Sequence, residues 1–178
     1  MKEILKDVYQ HCQDMQKMAE TKNAGLIAFN GAITLATIKL LSDGIQNCYL
    51  QYYLFFVLAC SLISIFLNLS AISAQLKHKE QEIPNHKSQN LLFFGTAANY
   101  TPEDYLKQLN SEYNLTDEIT QYNIDQARQV VINAQIALRK FKLFNSAFKW
   151  TIAGIATPLS VVIYLIFFEI HKGMVCIP

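Results

Sequence analysis

The four cysteines of this chain form no CxxC pair, and no histidine stands at metal-ligand spacing from them, which argues against a zinc or thiol-redox centre. No glycine-rich phosphate loop and no nucleophile–base signature appears. His11, His78, His86 and His171 are scattered and read as surface or interface residues, so no catalytic residue is assigned and an enzyme is not expected. The first twenty residues carry acids and no apolar core, unlike a cleaved secretory signal. Charge itself is scarce: 16% of the 178 residues are Asp, Glu, Lys or Arg, against 52% hydrophobic. That excess suits a chain with a third or more of its length in lipid.

What is present confirms that direction. Residues 49–73, YLQYYLFFVLACSLISIFLNLSAIS, contain no Asp, Glu, Lys or Arg. A bilayer core of about 30 Å needs about 20 apolar residues of helix. Tyr49, Tyr52 and Tyr53 gather at one end, where amphipathic rings favour the headgroup level, and Lys77 and Lys79 follow the other. A shorter span is expected at 24–41 and a third at 150–168, the last with Trp150 at its interface and a kink at Gly154 and Pro158. Ser42-Asp43-Gly44 predicts a tight turn, so the first two spans are antiparallel neighbours.

Outside the spans the pattern stays helical. In residues 1–23, Leu5, Val8, Cys12, Met15 and Ala19 recur at steps of three and four, one apolar stripe needing a partner helix in the same chain or in another copy. No breaker precedes Gly25, so this helix continues into the first span as one rod. A charged linker broken by Pro84 follows the second span. NLLFFG at 90–95 reads as a loop or short strand packed on the soluble part. Thr101-Pro102-Glu103-Asp104 is a helix start with cap, N1 proline and acids on the dipole. Thr116-Asp117-Glu118 predicts another. Beyond it Ala127, Val130, Ala134, Ala137, Phe141 and Phe144 make a seam of small and large residues running into the third span.

Thirteen of the fifteen Lys and Arg residues precede the first span or lie between the second and third. By the positive-inside rule, residues 1–23 and 74–149 are cytoplasmic, and the tail 169–178 is external. The expected fold is an all-α membrane protein: three transmembrane helices and a cytoplasmic helical bundle of residues 1–23, 101–113 and 117–147, assembled as a symmetric homo-oligomer. Cys48 and Cys176 would then both be outside, where they could pair.

Two polar stripes run through the spans: Asn30, Thr34 and Thr37 on the first, Ser61, Ser64 and Asn68 on the second. Polar groups in lipid face other helices or water. The stripes are therefore either hydrogen-bonding glue between helices or the lining of a pore formed by several copies. The cluster Arg139-Lys140-Phe141-Lys142, preceded on the same rod by Arg128, suits either anionic lipid or a phosphate-bearing ligand.

Three motifs in order, KNAGLIAFNGAI (Lys22–Ile33), NLLFFGTAANYTPEDYLKQL (Asn90–Leu109) and INAQIALRKFKLFNSAF (Ile132–Phe148), resemble the transmembrane effector family of the bacterial Pycsar anti-phage system. The matched positions include Asn23, Phe29, Asn30, Gly31, Asn90, Phe93, Phe94, Gly95, Tyr105, Arg139 and Lys140. The resemblance implies a defence effector in the bacterial inner membrane, activated by a cyclic mononucleotide from a neighbouring cyclase and compromising the membrane in abortive infection. The 76 residues between the second and third spans, 74–149, leave no room for a separate cyclic-nucleotide-binding β-roll. A short oligonucleotide from a nucleotidyltransferase is the related alternative. Asn90, Phe93, Phe94, Arg128, Arg139 and Lys140 are the candidate ligand-binding set, and no resident cofactor is expected. A membrane scaffold or receptor that recruits a partner without conducting is the competing class.

Overall fold

The structure, a computed structural model, describes the backbone of residues 1–44, 48–73, 90–115 and 118–171, and the same side chains except those of 48–49 and 158–171. Five helices follow in order: α1 (Lys2–Ser42), α2 (Cys48–Ile72), α3 (Phe94–Ala97), α4 (Pro102–Glu112) and α5 (Gln121–His171). No strand occurs among the described residues. The chain divides into two compact units, one of Met1–Asn23 with Ala71–Phe144, the other of Ala24–Ser70 with Asn145–Pro178. Helices α1 and α5 each supply residues to both.

The first unit is built on the stripe seen in the sequence. Leu5, Val8 and Cys12 are buried with Ala127, Val130, Ala134 and Ala137 of α5, and with Tyr105, Leu106 and Leu109 of α4. The partner of the stripe is thus found in the same chain. Small residues on α5 let α1 approach closely, and Gln16 Nε2 crosses to Asn133, donating to its backbone oxygen at 2.9 Å and to Oδ1 at 2.8 Å. Helix α4 starts as its sequence demands. The Thr101 hydroxyl accepts from Asp104 N–H at 3.2 Å and donates to the Asp104 carboxylate at 2.8 Å, with Pro102 opening the helix. Just past its C-cap, Tyr113, the chain turns at Asn114, whose φ of 50° lies in the left-handed region that asparagine tolerates.

Two expectations change here. Residues 90–93 form a loop rather than a strand, a turn in which Phe93 N–H closes on Asn90 O at 3.1 Å, but Phe94 and Gly95 already belong to α3. A strand needs a ladder partner, whereas this turn satisfies its backbone locally. The last long helix begins at Gln121 rather than at 116–118, after Glu118–Thr120 without helical structure. The Thr120 hydroxyl accepts from Asn123 N–H at 3.4 Å, so the cap is the later threonine. Thr116 and Asp117 lie outside the described residues.

The second unit has the opposite arrangement. Phe29 and Leu35 of α1, and Phe55, Leu62 and Phe66 of α2, stand exposed, Leu35 at 72% and Phe66 at 69%. Asn30, Ser61, Ser64 and Asn68 are buried. Where water is the solvent this pattern is unfavourable; where lipid is, it is the stable one. Both α1 and α2 are long and apolar enough to cross a membrane. Glycine has a packing role at one place: a Cβ on Gly154 of α5 would stand 3.1 Å from Cys60 Cβ and 3.9 Å from Val57 Cα of α2. The turn after α1 places Gly44 at φ 78°, as the Ser42-Asp43-Gly44 signal requires. The expected third span falls on α5, which continues as one helix through Pro158 to His171, with its side chains described as far as Thr157. The linker 74–89 and the Cys48–Cys176 pairing lie outside what is described.

Candidate functional site

Two places concentrate polar chemistry, one in each unit. In the first unit a groove of about 410 Å³ opens between α1 and the turn that precedes α3. Ile4, Asp7, Val8 and His11 line it at helical steps of three and four, so one face of α1 forms a wall. Asn90, Leu92 and Phe93 form the other. Asn90 Oδ1 accepts from Leu92 N–H at 3.0 Å, which fixes the amide and turns its NH₂ to other partners. Phe93 is 47% exposed and packs on Phe94, ring centroids 4.7 Å apart and tilted by 56°.

The turn beside the groove is anchored to α4. Tyr105, fully buried, donates its hydroxyl hydrogen to Leu91 O at 2.9 Å and so ties α4 to the turn. Burial pushes the Tyr105 phenol above its ordinary range, and the nearby Cys12 and Tyr113 push the same way. Burial pushes the Cys12 thiol up to about 11.

The sequence-predicted ligand residues do not converge. Asn90 and Phe93 line the groove. Phe94 faces the core, 5.8 Å from Phe141 and 6.4 Å from His11 between ring centroids. Arg128 pairs with Asp125 on the same helix at 3.2 Å. Lys140 forms an ion pair with Glu20 of α1, while Lys22 lies over the rings of Phe141 and Phe144 at 5.6 and 6.0 Å. Arg139 and Lys140 are not among the residues lining the groove. The signal for Asp7 and His11 was there: they flank the apolar stripe at the same period, but the sequence does not say which flank meets residues 90–93.

In the second unit the polar centre is a three-helix knot. Asn30 Nδ2 has three acceptors in reach of its two hydrogens: Leu26 O at 2.9 Å, Ser64 Oγ at 3.1 Å and Thr151 Oγ1 at 2.9 Å. The Ser64 and Thr151 hydroxyls are 3.0 Å apart. Asn68 Nδ2 donates to Ser64 O at 2.8 Å. Thr37 and Ser61 are buried on the same helices, and Thr34 is half-buried. Thr151 was not singled out from the sequence, where it follows Trp150 at the start of a span and looks like one more interfacial residue. Thr34 Oγ1 and Asn68 Oδ1 are buried without a hydrogen-bond partner.

The second unit thus carries large apolar side chains on its surface and polar ones inside, the pattern of helices that face lipid. The sequence matches the family described as the Pycsar effector protein domain over residues 4–167, nearly the whole chain. The chain belongs to the Pycsar effector family. No curated protein and no solved structure matches it. Members of the Pycsar effector family sit in the membrane and are regulated by a cyclic nucleotide from a cyclase. Membership and the two apolar helices together point to a membrane-located effector of anti-phage defence, in a family not known for enzymes.

Proposed function

We propose that this chain is a nucleotide-controlled effector that permeabilises or depolarises the bacterial inner membrane during phage infection. The observation that carries the reading is the inversion of the second unit, with Phe29, Leu35 and Phe66 outward and Asn30, Ser64 and Asn68 inward. A homo-oligomer of three-span subunits would act, with residues 1–23 and 74–149 in the cytoplasm and the tail outside. The controlling ligand is a cyclic mononucleotide, or a short oligonucleotide from a related synthase. Thr34, Thr37, Ser61 and Asn68 are the stripe proposed to line the path with Asn30 and Ser64. Support comes from Thr34 Oγ1 and Asn68 Oδ1, buried polar atoms for which water would be a partner. Continuous α1 and α5 offer a mechanical route by which ligand binding would tilt or rotate the spans.

A second reading has its own observation. Asn30, Ser64 and Thr151 satisfy one another within one chain, which suits structural glue in a membrane scaffold that recruits a partner and conducts nothing. Membrane potential separates the two. Cells expressing the chain, with and without the neighbouring nucleotide-producing gene, are followed with a voltage-sensitive dye. A potential that changes with that gene supports the effector and gives the sign of control. An unchanged potential, with the protein in the membrane, supports the scaffold. The Asn30→Leu, Thr34→Leu pair should remove ion flux while the protein still assembles; persistent flux would place the path elsewhere.

A further inference from the structure

We propose that the groove between α1 and residues 90–93 is where the chain reads the base of its controlling nucleotide. This rests on the nucleotide control proposed above and assigns it a place. The volume, about 410 Å³, falls within the range of small-molecule sites.

Its chemistry is that of a planar ring with polar edges. Phe93 supplies an aromatic surface that is nearly half exposed and is held by Phe94 behind it. Gly95 is part of that platform: its missing Cβ is where the Phe93 ring lies, so any side chain there displaces the ring. Stacking on such a ring is open to any base, because every base has a π-face. Discrimination falls to the edges. Asn90, with its oxygen committed to Leu92 N–H, presents its amide NH₂ as a donor. Asp7 is exposed, has no ion-pair partner among the described residues, and accepts from an exocyclic amine or a ribose hydroxyl. The same carboxylate repels phosphate, so the nucleotide enters base first with its phosphate away from Asp7. His11, one turn beyond Asp7, closes that wall.

The test uses the full chain in detergent, titrated calorimetrically with the 3′,5′-cyclic mononucleotides of the four RNA bases. Phe93→Leu keeps an apolar side chain and removes the ring; Asp7→Asn keeps the shape and removes the charge. Both positions are at the surface, and unchanged thermal unfolding would verify that the fold is kept. Each variant is expected to weaken binding of the preferred nucleotide about tenfold or more, while Phe93→Tyr retains it. Lys17→Gln, exposed on α1 and not among the groove residues, should bind as the unaltered chain does. If the unaltered chain binds a nucleotide and both groove variants bind it equally well, the groove is not the site, although nucleotide control stands. If the unaltered chain binds none of the four, control by a cyclic mononucleotide fails and the base site fails with it.

Discussion

Asn30 and Thr151 hold each other by both ends of the asparagine amide: Nδ2 donates to Thr151 Oγ1 at 2.9 Å, and Oδ1 lies 3.2 Å from the same hydroxyl. They are 121 residues apart in sequence and both buried. This contact joins α1 to α5, and Ser64 adds α2. Asn30→Leu is expected to cost about 0.5–2 kcal/mol, since bonds between helices in lipid average below the value their isolation suggests. Thermal unfolding in detergent measures it. An unchanged midpoint would mean that the amide contributes nothing net.

Tyr105→Phe removes one oxygen and leaves the Leu91 carbonyl without its bond. An orphaned buried acceptor costs about 1–3 kcal/mol. The loss should also speed amide exchange in residues 91–97, because the turn is tied to α4 through this contact. Global destabilisation without local change there would show that the tie is not specific.

The Thr101 cap can be tested by two substitutions. Thr101→Ala should destabilise by about 1 kcal/mol, and Thr101→Ser should recover most of it, because serine keeps the oxygen that accepts from Asp104 N–H. Equal losses for both would assign the effect to the methyl group instead.

The seam tolerates little added volume. Ala134 is fully buried between α1 and α5, and Ala134→Leu is expected to cost about 1–3 kcal/mol through overpacking. A neutral result in denaturant unfolding would reveal slack that the packing does not show.

Alkaline pH should loosen the first unit. The Cys12 thiol is raised by burial from 9.0 to about 11, and the Tyr105 phenol is raised by burial first and by Cys12 and Tyr113 next. Each group is held neutral in the fold more strongly than in the unfolded chain. Their contribution is therefore complete below the unfolded thiol value and falls as pH rises from about 9 through about 11. The unfolding temperature should be level near neutrality and decline over that interval, less steeply in Cys12→Ala. A decline beginning at acid pH would point to other groups.

The sequence was most informative where one local rule decides. The Thr101 cap, the Gly44 turn and the unbroken α1 each follow from a few neighbouring residues, and the stripe from Leu5 to Ala19 gives its buried face directly. It was least informative where two distant segments must meet. Asn30 and Ser64 read as polar faces, but only helix packing brings Thr151 between them. Phe93 and Phe94 are adjacent and alike in type, yet one lines a groove and the other enters the core. The start of α5 was less legible, because Thr116-Asp117-Glu118 repeats the threonine-and-acid pattern of Thr101, whereas the cap in the fold is Thr120, which no acid in the following turn marks. Arg128 and Lys140 illustrate a general limit: a basic residue read as a ligand partner is often occupied by a carboxylate, here Asp125 and Glu20.

The close approach at Gly154 bears on how the chain can change over generations. Substitution should be cheap at Leu35, Phe55 and Phe66, where one oily side chain serves as well as another. It should be costly at Gly154, where an added Cβ would press on Cys60, and at Ser64, whose hydroxyl bonds Asn30 and Thr151. Among descendants of this sequence the hydrophobic positions of the second unit should therefore drift, and its small and polar ones persist.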